Sequence, residues 1–310
     1  MATLQEIVSK QVPLAPGHRM CSGCSIPVIV NTIIAASDKP VIIANATGCL
    51  EVASTIYPFT AWKVPWVHLT FENAAAVAAG IETAYKAFKK RGKMKDDVNI
   101  IAFGGDGGTY DIGFQALSGA LERGHKFLYV VYDNEGYMNT GNQRSGATPF
   151  GADTTTVPAG TMSIGKTQWR KNIVEICAAH RIPYAAQATA HNTLDLFNKA
   201  KKAFAADGPS FIAALQPCTT NWKYDTALTM AYSKLAVETN FWPLYEVENG
   251  KVHINYKPKE RKPIEEFLKG QGRFRHLFKP ENRHVIEEMQ KMIDEEWERL
   301  LKLEESQVQI

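Results

Sequence analysis

Residues 99–142, NIIAFGGDGGTYDIGFQALSGALERGHKFLYVVYDNEGYMNTGN, constrain the fold of this chain more than any other stretch. Residues 99–103 are a short apolar run with charges before them and glycines after them, the pattern of a buried strand. Gly104-Gly105-Asp106-Gly107-Gly108 can continue neither a helix nor a strand, and its glycines let backbone N–H groups approach a ligand closely. Ile112, Leu117, Ala120 and Leu121 then recur at helical spacing, and residues 127–132 are a second apolar run. Strand, glycine turn and helix in that order put unpaired N–H groups where a phosphate sits. A carboxylate inside the turn would repel a bare phosphate, and a divalent cation such as Mg²⁺ between the two removes the conflict. Asp106 and Asn134, 28 residues apart, each fall just past the carboxyl end of a strand, where open α/β sheets bind ligands.

The run from Gly105-Asp106-Gly107 to Asn134 resembles the thiamine diphosphate (TPP) motif, a GDG followed at this kind of distance by Asn. The resemblance implies that the side chains of Asp106 and Asn134 and the carbonyl of Gly136 hold Mg²⁺ on the diphosphate. It also implies that Gly105, Gly107 and Gly108 form the cofactor cradle. Beyond Asn134 lies a long polar stretch without clear period, to about residue 167, and such loops are usually functional. Asn139, Thr140 and Gln143 offer neutral hydrogen bonds there, and Arg144 reads as a loop staple rather than an anion clamp.

The chain has five cysteines. Cys21 and Cys24 form a Cys-x-x-Cys pair at what reads as the opening of a helix through Ala36. Cys49 and Cys218 each follow an apolar strand-like run. These four are candidate ligands, and by themselves they suit Zn²⁺, thiol redox chemistry or an iron–sulfur cluster. Cys177 sits inside an apolar helical pattern and reads as core.

Taken together, GHRMCSGC, ATGCLEV, FENAAAVAAGIE, the GDGG run and YDNEGYMNTG resemble the β subunit of pyruvate:ferredoxin oxidoreductase and its 2-oxoacid relatives, over about residues 17–245. That resemblance implies a 4Fe–4S cluster on Cys21, Cys24, Cys49 and Cys218 near the TPP. Asn139 is then the catalytic residue facing substrate and thiazolium, with Thr140 beside it as a cofactor contact. The implied reaction is oxidative decarboxylation of a small 2-oxoacid, electrons leaving through the cluster to ferredoxin. The implied partners are an α subunit that completes the TPP site, γ/δ-type subunits with ferredoxin clusters, ferredoxin itself, and coenzyme A as acyl acceptor. In this family the acid that activates the aminopyrimidine lies on the partner, so Glu72, ahead of an alanine-rich helix, is as readily a helix-dipole residue. Pyruvate enzymes of this type usually read NEAYMNTGIQRSSATP, whereas this chain has Asn142 at the apolar position and glycine at two others. A buried amide favours a second carboxylate over a methyl group, which sets oxalate beside pyruvate as substrate. Two other readings stand against the redox one: a non-redox TPP decarboxylase subunit, and a TPP-fold scaffold stabilised by zinc.

The remaining features bound these readings. At 310 residues, 45% apolar and 22% charged, the chain has the composition of a globular protein. Its formal charge of +3 is too small and too evenly spread to suggest nucleic acid. No secretory signal or membrane-length apolar run is visible, and with the odd cysteine count this suggests the cytoplasm. Alternating strand and helix patterns predict an α/β fold, a mostly parallel twisted sheet with helices on both faces in a TPP-binding fold. Asn249-Gly250 predicts a hairpin, and residues 281–305 a charged helix. The expected division is 1–250, the diphosphate- and cluster-binding domain, and 251–310, a C-terminal extension. The aromatic loop 58–66 and the alanine-rich helix suggest the contact with a partner subunit.

Overall fold

The computed structural model describes residues 3–309 apart from residue 11, so parts of the expected leader (1, 2 and 11) and residue 310 lie outside it. Eight strands form one sheet: β1 (Val41–Ala46), β2 (Trp66–Leu69), β3 (Asn99–Gly105), β4 (Leu128–Asp133), β5 (Tyr184–Thr189), β6 (Ser210–Leu215), β7 (Tyr245–Glu248) and β8 (Lys251–Ile254). Their order is β2-β1-β3-β4-β6-β5-β7-β8. The first six run parallel, and β7 and β8 close the sheet antiparallel. Strands β4 and β6 are buried at every residue, which is why they read as unbroken apolar runs rather than alternating ones. Alternate residues feed two cores, Ile100 and Ala102 to one face, Ile101 and Phe103 to the other. Helices Ala74–Lys90, Phe114–Glu122 and Ile173–Ala178 cover the first face, and Ile26–Ala35 and Thr193–Ala205 the second.

Three local departures from the expected elements have physical causes. The helix expected to open at the Cys-x-x-Cys run begins only at Ile26. Cys21 and Cys24 instead form a turn, closed by Cys24 N–H donating to Cys21 O at 3.0 Å. At its apex Gly23 has φ +74°, and a Cβ there would lie 2.3 Å from Thr226 O, so the turn is pressed against the segment that follows Cys218. After the GDGG turn the chain makes one π-helical stretch, Gly107–Ile112, before helix Phe114–Glu122; Gly113 N–H donates to Gly108 O at 2.7 Å. Such widened turns gather at functional sites. The helical pattern around Cys177 forms a helix only over Ile173–Ala178, because Arg170 and Lys171 ahead of it are drawn into ion pairs with Asp133 and Asp111. Helix Thr229–Glu238 was not anticipated.

The hairpin is as expected, with Asn249 (φ +49°) and Gly250 (φ +81°) both left-handed, the turn whose twist matches its strands. Residues 251–310 add β8 to the sheet and carry helix Arg283–Ser306, whose Val285, Met289, Ile293 and Leu300 enter the same apolar cluster as β4 and β6 residues. Among the described residues no helix is long and apolar enough to cross a membrane.

One insertion from that C-terminal region reaches the centre of the molecule. Arg273, in the 3₁₀ stretch Gly272–Phe278, is 1% exposed. Its guanidinium lies over the Trp222 ring at 4.0 Å and meets Glu135 Oε2 at 2.7 Å, a charge contact whose angle is poor for a hydrogen bond. Removing Arg273 leaves buried Asp133 and Glu135 to share the single guanidinium of Arg170. Arg273→Ala is therefore expected to cost ~3–5 kcal/mol of stability, measured by denaturant unfolding. Loss within the range of a surface substitution would show that Glu135 does not depend on it.

Candidate active site

Strands β1, β3, β4 and β6 are consecutive in the sheet, and their carboxyl ends deliver every candidate ligand after the Cys-x-x-Cys turn. Cys49 follows β1 through Thr47 and Gly48, Asp106 follows β3, Asn134 follows β4, and Cys218 follows β6. Parallel neighbours in register bring these loops side by side, as in other α/β sites.

Asp106 is 1% exposed. Its Oδ2 accepts from Ser145 Oγ at 2.5 Å, and its Oδ1 accepts from Asn134 N–H at 3.4 Å. Burial, reinforced by the neighbouring Asp133, pushes its carboxyl well above the usual range. The Asn134 amide presents one atom to both Asp106 Oδ1, at 2.9 Å, and the Gly136 carbonyl, at 2.8 Å. If that atom is nitrogen, it donates to both. If it is oxygen, three oxygens converge, an arrangement that a cation must hold. Octahedral Mg²⁺ with oxygens at about 2.1 Å sets adjacent ligands about 3 Å apart, so the three expected ligands fit that ion.

These residues border a cavity of about 180 Å³, together with Gly48, Gly105, Gly107, Asn139 and Thr140. Phe71 and Tyr137 close one side, their rings 5.7 Å apart, and Tyr137 Oη donates to Gly107 O and Asp111 Oδ2. Asn139 and Thr140 lie exposed at the rim, and Thr140 Oγ1 donates to Gln143 Oε1 at 2.5 Å. Gly108 does not border the cavity. A Cβ there would sit 2.9 Å from Phe71 O, so that glycine serves packing. Gly107 serves both ends, since a Cβ would strike the Tyr137 ring at 2.5 Å.

Cys21, Cys24, Cys49 and Cys218 line a second cavity of about 260 Å³. Burial, and then the neighbouring cysteine sulfurs, push the thiols of Cys24 and Cys49 up to about 12, so bare thiols there stay protonated without a cationic centre. Donors point at the sulfurs: Ile26 N–H at Cys24, Thr220 and Asn221 N–H at Cys218, and Gln216 Nε2 at Cys24 Sγ over 3.7 Å. Such N–H···S contacts accompany iron–sulfur ligation. Among the described residues no three Cys, His, Asp or Glu side chains stand close enough together to hold a single metal ion. Cys177, fully buried in the apolar core, is apart from them, as its sequence context suggested. The two cavities share a wall made of Cys49, Asn134, Met138 and Asn139.

Behind Asn134 lies a buried charge lattice. Arg170 bonds Asp133 Oδ2 at 2.6 Å and Glu135 Oε1 at 2.7 Å, while Tyr110 Oη donates to Asp133 Oδ2 at 2.5 Å. Glu135 has φ +69°, a left-handed backbone that turns Asn134 and Gly136 toward the cavity. Ser145 and Thr148 brace this turn: Thr148 Oγ1 donates to Glu135 O at 2.7 Å, and Lys166, its amine lowered to about 7 by burial, donates to Thr148 O at 2.5 Å. Sequence reasoning missed Ser145 and Tyr132 as site residues. Ser145 stands in the polar stretch without clear period, and Tyr132 reads as one more apolar strand residue.

The geometry bears on three other residues. Asn142 borders neither cavity. It has φ +63°, and Asn tolerates that conformation where an apolar side chain does not. Arg144 bonds Gln168 and, through its N–H, Thr156, the loop-staple role expected of it. Glu72 precedes the helix by two residues and does not border the Asp106 cavity.

Comparisons with known proteins agree with this geometry. Residues 46–214 match the family described as thiamine pyrophosphate enzyme, C-terminal TPP binding domain. Pyruvate synthase subunit PorB of Thermotoga maritima is 54% identical over 308 residues, covering 97% of this chain and 95% of that one. The PorB subunit of Methanocaldococcus jannaschii is 56% identical over 283 residues (91% and 94%). Ketoisovalerate oxidoreductase subunit VorB of Pyrococcus abyssi is 45% identical over 291 residues (93% and 92%). In fold, the chain resembles a solved 2-oxoglutarate:ferredoxin oxidoreductase from Magnetococcus marinus, with a TM-score of 0.54 at 20% identity over 73% of this chain and 78% of that one. The chain therefore belongs to the 2-oxoacid:ferredoxin oxidoreductases as their β subunit, the TPP-binding subunit of an enzyme that oxidises 2-oxoacids.

Proposed function

We propose that this chain grips the diphosphate of TPP through Mg²⁺ on Asp106, Asn134 and the Gly136 carbonyl, and holds a 4Fe–4S cluster on Cys21, Cys24, Cys49 and Cys218. The observation that carries the reading is the wall common to the two cavities. Bound there, TPP supplies the electron sink for loss of CO₂ from a 2-oxoacid, and the cluster accepts electrons singly. Asp106 fixes the cation, Ser145 fixes the Asp106 carboxylate, and the backbone of Gly105 and Gly107 lies open to the phosphates. Phe71 and Tyr137 exclude water from one side, and Asn139 at the rim offers its amide to the substrate. The Asn134 amide within 3 Å of both Asp106 Oδ1 and the Gly136 carbonyl supports Mg²⁺, and four cysteines on one cavity that adjoins the first support a cluster over a zinc scaffold.

Pyruvate is the substrate we propose. The case for oxalate rested on Asn142, whose left-handed backbone accounts for that residue away from the cavity, and the named relatives include pyruvate synthase subunits. Since the residues bordering the cavity supply only the diphosphate half of a cofactor site, we propose an α subunit for the aminopyrimidine half. γ/δ-type subunits, ferredoxin and coenzyme A then complete the path for electrons and acyl group.

Three outcomes are expected. Asp106→Ala abolishes TPP retention in the purified complex and Asn134→Ala weakens it less, because a neutral ligand contributes less than a carboxylate; TPP content after gel filtration checks this. Cys218→Ala loses iron and the absorbance of the cluster, while Cys177→Ser keeps both; full iron in Cys218→Ala would show that the ligand set is wrong. The native complex reduces viologen with pyruvate faster than with 2-oxoisovalerate or oxalate, and this chain alone, reconstituted with iron, sulfide, Mg²⁺ and TPP, does not. Equal turnover without an electron acceptor would favour a non-redox decarboxylase.

A further inference from the structure

Four hydroxyl side chains border the Asp106 cavity: Thr47, Tyr132, Tyr137 and Thr140. Three are committed within the protein. Thr47 Oγ1 bonds His68 Nε2 at 2.8 Å and Leu69 O at 3.0 Å, Tyr137 Oη bonds Gly107 O and Asp111, and Thr140 Oγ1 bonds Gln143. Tyr132 is different. It is 1% exposed, and its hydroxyl oxygen, toward which the Leu50 N–H points, has no partner within hydrogen-bond geometry among the described residues, the Cys49 sulfur included, so its proton has no acceptor. A buried hydroxyl left this way costs about 1–3 kcal/mol.

The surrounding chain makes room for that hydroxyl. It lies 2.6 Å from where a Cβ on Gly48 would be and 3.5 Å from where one on Gly105 would be. The two glycines sit at the ends of β1 and β3, so the hydroxyl emerges between two backbones that carry no side chains and border the same cavity. A phenol hydroxyl at that place has a proton to donate. What fits between two glycines and opposite Asp106 is an oxygen-rich anion whose charge a cation on Asp106 shares. We propose that the Tyr132 hydroxyl donates a hydrogen bond to a phosphoryl oxygen of the cofactor diphosphate, as a binding residue contributed by the strand itself rather than by the glycine turn. This rests on the TPP reading above.

The test uses the intact complex, stripped of TPP and Mg²⁺ and titrated calorimetrically with TPP at fixed Mg²⁺ and, separately, with thiamine, which has no phosphate. In Tyr132→Phe the Kd for TPP is expected to rise about tenfold, the size of one hydrogen bond to a charged group. The Kd for thiamine, the iron content and the midpoint potential of the cluster stay unchanged. The ratio of TPP to thiamine affinity is read within each variant, so a reduced folded fraction leaves it intact. An unaltered ratio overturns the proposal. A shifted cluster potential with an unaltered ratio overturns it in favour of a bond to Cys49. Wild-type complex that does not bind TPP overturns the cofactor reading itself, and the proposal with it.

Discussion

The site depends on how this fold balances negative charge at the carboxyl ends of two neighbouring strands. Asp106, Asp133 and Glu135 are all buried there, within a few residues of β3 and β4. Asp133 and Glu135 face the guanidiniums of Arg170 and Arg273. Asp106 receives the Ser145 hydroxyl, the Asn134 N–H and the Asn134 amide, and no arginine pairs with it as Arg170 and Arg273 pair with the other two. Isolated buried carboxylates neutralise or find a cation. The arginines settle the structural pair, and the proposal of a cation on Asp106 rests on the imbalance left at that one residue.

Much of this was legible in the sequence because it follows from local patterns. Strand, glycine turn, helix and strand are each announced by composition, and the position of Asp106 and Asn134 just past two strand ends follows from them. Cys49 and Cys218 could be gathered by the same argument, since parallel strands end together. What was not legible depends on contacts made at long range. The Cys-x-x-Cys turn is shaped by Thr226, some two hundred residues away, so helix periodicity could not place its start. The shortened helix after residue 169 is likewise a tertiary effect, because Arg170 is needed elsewhere. Asn142 is the opposite case: its left-handed backbone is a demand that a reading of its side chain does not reveal.

The glycines show the same double determination. Gly107 lines the cavity and also makes way for Tyr137, whereas Gly108, one residue on, serves only packing against Phe71. A motif read as a phosphate cradle is therefore also a set of clearances for the aromatic rings that wall the cradle. Both demands exclude a Cβ, and the sequence alone does not separate them.

The placement of Arg273 bears on the order in which the molecule can be made. Glu135 turns the chain toward the ligand cavity, yet one of its two counter-charges is supplied near the end of the polypeptide. During vectorial synthesis on the ribosome the first two hundred residues emerge with most of the sheet but without that arginine, and with Cys218 still untranslated. A nascent chain at that stage cannot bury Glu135 fully balanced and cannot assemble all four sulfurs. The four sulfurs of the proposed cluster site therefore gather only after residue 218 has emerged, and Glu135 gains its second counter-charge only with residue 273.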